Sequence, residues 1–217
     1  MGTVLDLHVH SLFSVDSPVA PEQYAAHLAG LRQRFRIDGM VFCEHRKLAA
    51  DFDYQALAEK YGIKIMAGVE AETRWGHILV YCADLNWLRA VNFEQKLDPV
   101  ELAREVELHG GITVPAHPFR GMISLGDHIQ ELPHLCALEV INGGNLPEEN
   151  LWALNLAQKL GLSKVGGSDA HFLDELGLGA TEFEAEINTL EELVREIKSG
   201  RVRAVYRDEL RIASDPA

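Results

Sequence analysis

Cysteine is scarce. Cys43, Cys82 and Cys136 are odd in number and form no C-x-x-C pair, which indicates neither a disulfide framework nor a thiolate metal site. No apolar run approaches the roughly 18 residues of a membrane helix. The first residues, Met1-Gly2-Thr3-Val4-Leu5-Asp6, lack the basic and apolar stretches of a secretory leader, so a reducing, cytoplasmic setting is expected. There is no internal repeat, low-complexity tract or Pro/Ser/Gly linker, and only residues 214–217 read as a tail. Basic residues are also few: 20 Lys and Arg face 33 Asp and Glu, for a net charge of −13. Phosphate backbones are held by clusters of Lys and Arg, so this acid excess argues against a long nucleic acid as partner. Binding of one phosphate through a metal is left open.

What is present is an ordinary globular composition, 47% hydrophobic and 24% charged over 217 residues, of a size that suits one domain. β-branched apolar runs predict strands at 4–10, 39–45, 64–73, 77–82, 112–117, 137–142, 164–168, 180–184 and 203–206. Between them, helices are predicted at 21–36, 54–61, 99–109, 147–160 and 190–199. Pro99 and Pro147 suit first turns, and Gly62, Gly110, Gly161 and Gly200 suit helix stops. The alternation, with one strand-to-strand step between Glu70 and His77, argues for a mostly parallel sheet covered by helices. Periodicity leaves open whether that sheet closes into a barrel.

Ten histidines carry the chemistry. His8 and His10 close the first predicted strand, and His45 closes the second. His117 closes the strand at 112–117, His171 follows the one at 164–168, and His77 opens a strand after Glu70. Asp16 and Asp169 stand beside them. Strand C-termini of a parallel α/β fold gather at one end, where ligand sites form. Residues i and i+2 of a strand face one way, so His8 and His10 form a pincer. Imidazole with carboxylate and no thiolate suits a polynuclear centre of Zn, Mn or Fe(II). His27, His109, His128 and His134 read as helix-surface or capping residues, Cys43 as a small buried side chain, and Gly143-Gly144 and Gly166-Gly167 as tight turns.

Asp6-Leu7-His8-Val9-His10-Ser11 resembles the first motif of the polymerase and histidinol phosphatase (PHP) family. Cys43-Glu44-His45 is similar to its second, with Cys and Glu where the family usually has Thr and Asp. Gly68-Val69-Glu70 with Gly76-His77-Ile78-Leu79, Ala116-His117-Pro118 and Gly167-Ser168-Asp169-Ala170-His171 resemble the remaining motifs, in order. The resemblance implies a distorted (β/α)7 TIM-like barrel, mostly parallel, with residues 1–217 as one metallohydrolase domain. It implies two or three divalent ions. His8, His10, Glu70 and Asp169 hold the first; Glu70 bridges to a second held by His77 and His117; Asp16, His45 and His171 hold the third.

The implied reaction is hydrolysis of a small phosphomonoester or nucleotide through a metal-bridging hydroxide. Glu70 and His171 are the expected catalytic residues, Arg120 and more weakly Arg46 the phosphate holders, and Asp6 the acceptor that orients His8 or His10. The alternatives are a PHP module that binds metal without turnover and an exonuclease-like phosphodiesterase. Hydrolysis of a C–N bond is a third, disfavoured because Glu70 stands where related barrels use a bridging lysine.

Overall fold

The computed structural model describes residues 2–49 and 51–212; the tail at 214–217 lies outside them. The chain runs β1 (Val4–Val9), α1 (Pro21–Leu31), β2 (Gly39–His45), α2 (Tyr54–Tyr61), β3 (Lys64–Glu72), β4 (His77–Tyr81), α3 (Leu85–Ala90) and α4 (Pro99–Leu108). It continues through β5 (Ile112–Pro115), β6 (Ala137–Asn142), α5 (Pro147–Leu160), β7 (Ser163–Gly167), β8 (Gly179–Phe183), α6 (Leu190–Lys198) and β9 (Val202–Tyr206).

Local chemistry sets the boundaries. Asp98 accepts from the backbone N–H of Val100 and Glu101, and Pro99 follows it, which starts α4. Gly62 and Gly161 end α2 and α5 in the left-handed conformation. Two helices differ from expectation. α1 stops at Leu31 rather than 36, where the chain turns through 32–38 into β2. The six-residue α3, capped by Asp84, is too short to leave a periodic signal.

Seven strands form one curled sheet in the order β5-β4-β3-β2-β1-β8-β9, and β6 and β7 form a separate parallel pair. β1, β2 and β3 are parallel. The β3–β4, β4–β5, β1–β8 and β8–β9 pairings are antiparallel. The expectation of a mostly parallel (β/α)7 barrel is therefore corrected to a mixed α/β sheet. The reason is the connection between β3 and β4: a four-residue turn held by the Thr73 and Gly76 backbones cannot carry a crossover helix, so β4 must return antiparallel. Gly76 is required there, since its φ is +140° and a Cβ would lie 2.4 Å from the Ser124 carbonyl carbon.

β6 lies against β5 and β7 against β1, but neither contact is a ladder. Between β1 and the chain after β7 run the bonds Asp169 N–H to His8 C=O (2.7 Å) and His10 N–H to Ala170 C=O (2.9 Å), beside one bridge, Val9 to Ala170. Apolar clusters fill both faces of the sheet. Tyr24, Leu28, Met40 and Phe42 pack under α1 and α2, and Leu5, Leu7, Val41 and Leu79 lie on the other face. This arrangement brings the C-terminal ends of β1, β2, β3, β5, β6 and β7, and the start of β4, to one end of the molecule. Among the described residues no helix is long and apolar enough to cross a membrane.

Candidate metal centre

β1 is buried over its whole length, as is His10 just after it, so the polar residues Asp6, His8 and His10 are carried inside by apolar neighbours and must find partners there. Glu70, on β3, is the hub. Its Oε2 lies 3.2 Å from His8 Nε2, 3.1 Å from His10 Nε2 and 3.3 Å from His45 Nε2. Its Oε1 lies 3.0 Å from His77 Nδ1 and 2.8 Å from His117 Nε2. Asp169 Oδ1 is 3.1 Å from His10 Nε2 and 3.4 Å from His8 Nε2. Asp16 Oδ2 lies 3.2 Å from His171 Nε2 and 3.4 Å from His45 Nε2.

Three sets of donor atoms lie within 4.8 Å of one another: His8, His10, Glu70 and Asp169; His10, Asp16, His45 and His171; and His45, Glu70 and His77. Thus His8, His10, Asp16, His45, Glu70, His77, His117, Asp169 and His171 all meet at the strand ends. His45 is shared more widely than the motif assignment supposes, and His117 joins through Glu70 Oε1. Backbone turns help to aim two of these side chains: among the described residues His117 and Asp169 are two of the four non-glycine residues with positive φ, a conformation that costs about 1–2 kcal/mol.

Hydrogen bonding around the ring fixes the tautomers. His8 Nδ1 faces Glu139 Oε1 at 2.9 Å and must donate to it. Ser14 Oγ gives its only proton to Glu44 Oε2 (2.7 Å), so it accepts from His10 Nδ1 (3.2 Å). His171 Nδ1 donates to the Asp169 carbonyl at 2.9 Å. In each ring the Nε2 lone pair is then turned toward carboxylate oxygens. Lone pair against carboxylate is repulsive unless a cation or a proton lies between them. The buried His10 Nε2 has no hydrogen bond in spite of its two carboxylate neighbours. The donor set therefore fits divalent cations.

Charges agree. Burial opposes charge at His8, but Asp169, Glu70 and Glu139 raise it well above the ordinary imidazole value. Burial likewise opposes charge at His10, which the carboxylates of Asp169 and Glu70, each 3.1 Å from Nε2, lift to about 9. Burial, aided by His10 and His77, pushes His45 down to about 4. Against the pull of burial, His8 and His45 hold Glu70 well below the carboxylate range. Metal loading near pH 7 must displace protons from His8 and His10, so uptake weakens as pH falls. Titration calorimetry in buffers of differing ionisation enthalpy should show about two protons released per chain at saturation. Release of none would remove both histidines from the ligand set.

Of three buried acids around the ring, Glu139 has no place in the motifs, and Glu44 and Asp6 lie within them. Glu139, on β6, takes His8 Nδ1, the His117 N–H (2.6 Å) and Asn142 Nδ2 (2.9 Å); its signal is an acid inside an otherwise apolar strand. Glu44 accepts from Ser11 N, Ser11 Oγ and Ser14 Oγ and so shapes the loop that holds His10. Asp6 does something other than expected. It accepts from the backbone N–H of His8, Ser168 and Gly177 and touches no imidazole ring, so the orienting role passes to Glu139. Arg120 donates Nη1 to Asp169 Oδ2 (2.6 Å), Nε to Asn145 Oδ1 (2.9 Å), and Nη2 to Asn142. Arg46 is half-exposed and paired with Glu72, away from the ring. His109 pairs with Asp84 and stacks on Trp87, and His128 pairs with Glu131 and stacks on Trp75, outside the site.

Asp16 belongs to the loop after β1 and is 42% exposed in its side chain, so Asp16→Ala is expected to fold normally and lose about one metal ion per chain by elemental analysis. Unchanged stoichiometry would leave Asp16 as a solvated loop acid.

Comparison with known proteins follows the same lines. The family model described as PHP-associated matches residues 147–202, from α5 into β9. No curated protein sequence matches the chain. PsfC from Pseudomonas syringae PB-5123 shares the fold at a TM-score of 0.72 and 24% identity, over 94% of this chain and 91% of that one. A Bifidobacterium adolescentis protein whose name gives it as a metal-dependent phosphoesterase aligns at 0.62 and 19%, over 90% and 96%. Endonuclease Q, in complex with a 27-mer duplex bearing an abasic lesion, aligns at 0.69 and 19%, over 92% of this chain and 57% of that one.

The last likeness overturns the expectation that an acidic chain of this kind excludes long nucleic acid. Endonuclease Q, 57% of which aligns with this chain, takes a DNA duplex, and whole-chain net charge does not report the local field at a site whose donor set fits cations. The ordered motifs resemble those of the PHP family, the segment 147–202 matches its PHP-associated model, and the fold is shared with a structure named as a metal-dependent phosphoesterase.

Proposed function

We propose that this protein is a metal-dependent phosphoesterase whose two or three divalent ions (Zn, Mn or Fe) are held by His8, His10, Asp16, His45, Glu70, His77, His117, Asp169 and His171. The observation that carries this reading is Glu70: a fully buried carboxylate whose two oxygens face two separate groups of imidazoles, as a ligand shared between two cations must. Bound divalent cations supply Lewis acidity to phosphoryl oxygens and lower the pKa of water towards neutrality.

The chain's own contributions follow from its contacts. Glu139 fixes His8 in the tautomer that presents Nε2, and Ser14, itself held by Glu44, does the same for His10. Arg120 steadies Asp169, Asn142 and Asn145 with three of its five N–H groups, which leaves two to bind a phosphoryl oxygen. His171 is a ligand and not a proton donor: Nδ1 is committed to the Asp169 carbonyl and Nε2 to the side of Asp16. The leaving oxygen takes its proton from solvent, which reaches the site past the exposed Asp16. The curled sheet and the β6–β7 pair together serve as the distorted barrel that holds these groups.

A second reading, phosphodiester cleavage in a nucleic acid, is favoured by the fold shared with endonuclease Q. A panel of phosphomonoesters, nucleotides and lesion-bearing oligonucleotides, assayed with Mn- and Zn-loaded protein, separates the two. Phosphate release from monoesters supports the first and strand scission the second. A fully loaded protein inert on every class would leave only a metal-binding module.

A further inference from the structure

Exposed apolar side chains are distributed unevenly. Of the eleven large ones that stand exposed among the described residues, eight follow strand ends that build the metal centre. Leu12 and Val15 lie in the Asp16 loop after β1, and Met122 and Ile123 lie just past Arg120 after β5. Leu146, Leu151 and Trp152 stand at the start of α5, and Phe172 directly follows His171. Val15 is 81% exposed and Met122 fully so. Soluble proteins scatter such residues singly over the surface; their concentration on the ring of loops and helix starts that follow the strand ends marks the seat of something apolar.

The α5 side of that ring leads to a cavity. Between α5, β6 and β9 lies a space of about 570 Å³ whose walls include Val140, Ile141, Leu151, Leu154, Val202 and Tyr206. That volume is in the range that takes the organic part of a small ligand. Centre and cavity are joined by one line of hydrogen bonds. Arg120 Nε donates to Asn145 Oδ1 (2.9 Å), Asn145 Nδ2 to Asn150 Oδ1 (3.0 Å), and Asn150 Nδ2 to the Tyr206 hydroxyl oxygen (3.2 Å). Asn150 is 5% exposed, so this line is a fixed part of the wall. Trp152 packs edge-on against Phe119, next to Arg120, with ring centroids 6.2 Å apart.

We infer that the substrate is a phosphoester with an apolar organic group, which crosses the mouth on its α5 side and enters this cavity while the phosphoryl group sits at Arg120 and the metal ligands. The inference rests on the phosphoesterase reading and names its substrate class. Apolar surface is worth about 0.8 kcal/mol per buried methylene, so affinity should climb with chain length while the phosphoryl contacts stay constant.

Straight-chain alkylphosphonates from methyl to octyl resist hydrolysis and separate the two contributions. Calorimetry with the Mn-loaded full chain should show Kd falling about two- to four-fold per methylene over several carbons. Leu151→Arg, at an exposed position that folding does not depend on, should leave the Kd of methylphosphonate unchanged and abolish the gain with length. A Kd independent of length, with methylphosphonate still bound or with only oligonucleotides bound, overturns the apolar seat and spares the phosphoesterase reading. A gain with length that survives Leu151→Arg and Trp152→Ser overturns the assignment to this cavity. Failure of any phosphonate or phosphate ester to bind overturns both readings.

Discussion

Glu70→Gln is expected to fold, to lose metal, and to lower turnover by at least about a hundredfold, or roughly 2.7 kcal/mol of barrier. The amide keeps the size of the side chain and one acceptor oxygen, but it cannot present two anionic oxygens to two groups of imidazoles. It also brings an NH2 group toward rings whose Nε2 atoms are unprotonated or cation-bound. Circular dichroism should match the parent, because Glu70 is held by side chains of the site and not by the backbone ladder. Metal analysis should show fewer ions per chain. A variant that keeps more than about a tenth of the parental kcat at saturating metal would sink the bridging assignment.

Asp6→Ala should act on stability instead. Asp6 is fully buried, and its carboxylate accepts backbone N–H groups from three segments: His8 on β1, Ser168 after β7 and Gly177 before β8. Alanine leaves those donors without acceptors. At about 1–3 kcal/mol for each buried unsatisfied group, the loss over three groups amounts to about 3–9 kcal/mol, a large share of the stability of an ordinary domain. Urea denaturation should show a lower midpoint with the same slope. The pH dependence has a defined sign. Burial raises Asp6 to about 6 from 3.8, against its hydrogen bonds from Ser168, Gly177 and His8. The folded state therefore binds the proton more tightly than the unfolded one, and this carboxyl's contribution to stability declines as pH rises from about 4 through 6. In the alanine variant that decline should disappear. A variant as stable as the parent would show that the three N–H groups find other partners.

Much of this was legible in the sequence because chemistry and position coincide in it. His8 and His10, two apart on a buried strand, must share a face. Apart from Asp16 in its loop, each further candidate ligand sits near a strand end visible from its apolar run, and all nine strands fall within a residue or two of expectation. The sheet's direction was less legible, since apolar runs carry no sign of which way a strand points. Only the short turn between Glu72 and His77 does so, and it fixes the direction of β4 alone. The surrounding groups stayed hidden for a different reason. Glu139 meets His8 from 131 residues away, and no periodicity joins them. Glu44 stood beside His45 in a motif, but its task in holding Ser11 and Ser14 becomes visible only when the loop is folded over it. Asp6, adjacent to the motif histidines, invited a role toward imidazole, whereas its backbone partners come from the far end of the chain.

The join between the seven-stranded sheet and the β6–β7 pair has a consequence for motion. Ladders hold each part internally, but across the seam near β1 only the amides of His10 and Asp169 are bonded backbone to backbone. Asp169 and Glu139 stand on one side, His8, His10 and Glu70 on the other. Cations held as proposed, by Asp169 on one side and His8, His10 and Glu70 on the other, would act as rivets: they would oppose separation of the two parts while leaving the interior of each unchanged. Deuterium uptake at 137–142 and 163–170 should then slow on metal loading, while β2 and β3 exchange as before, because opening the seam would require the rivets to let go first.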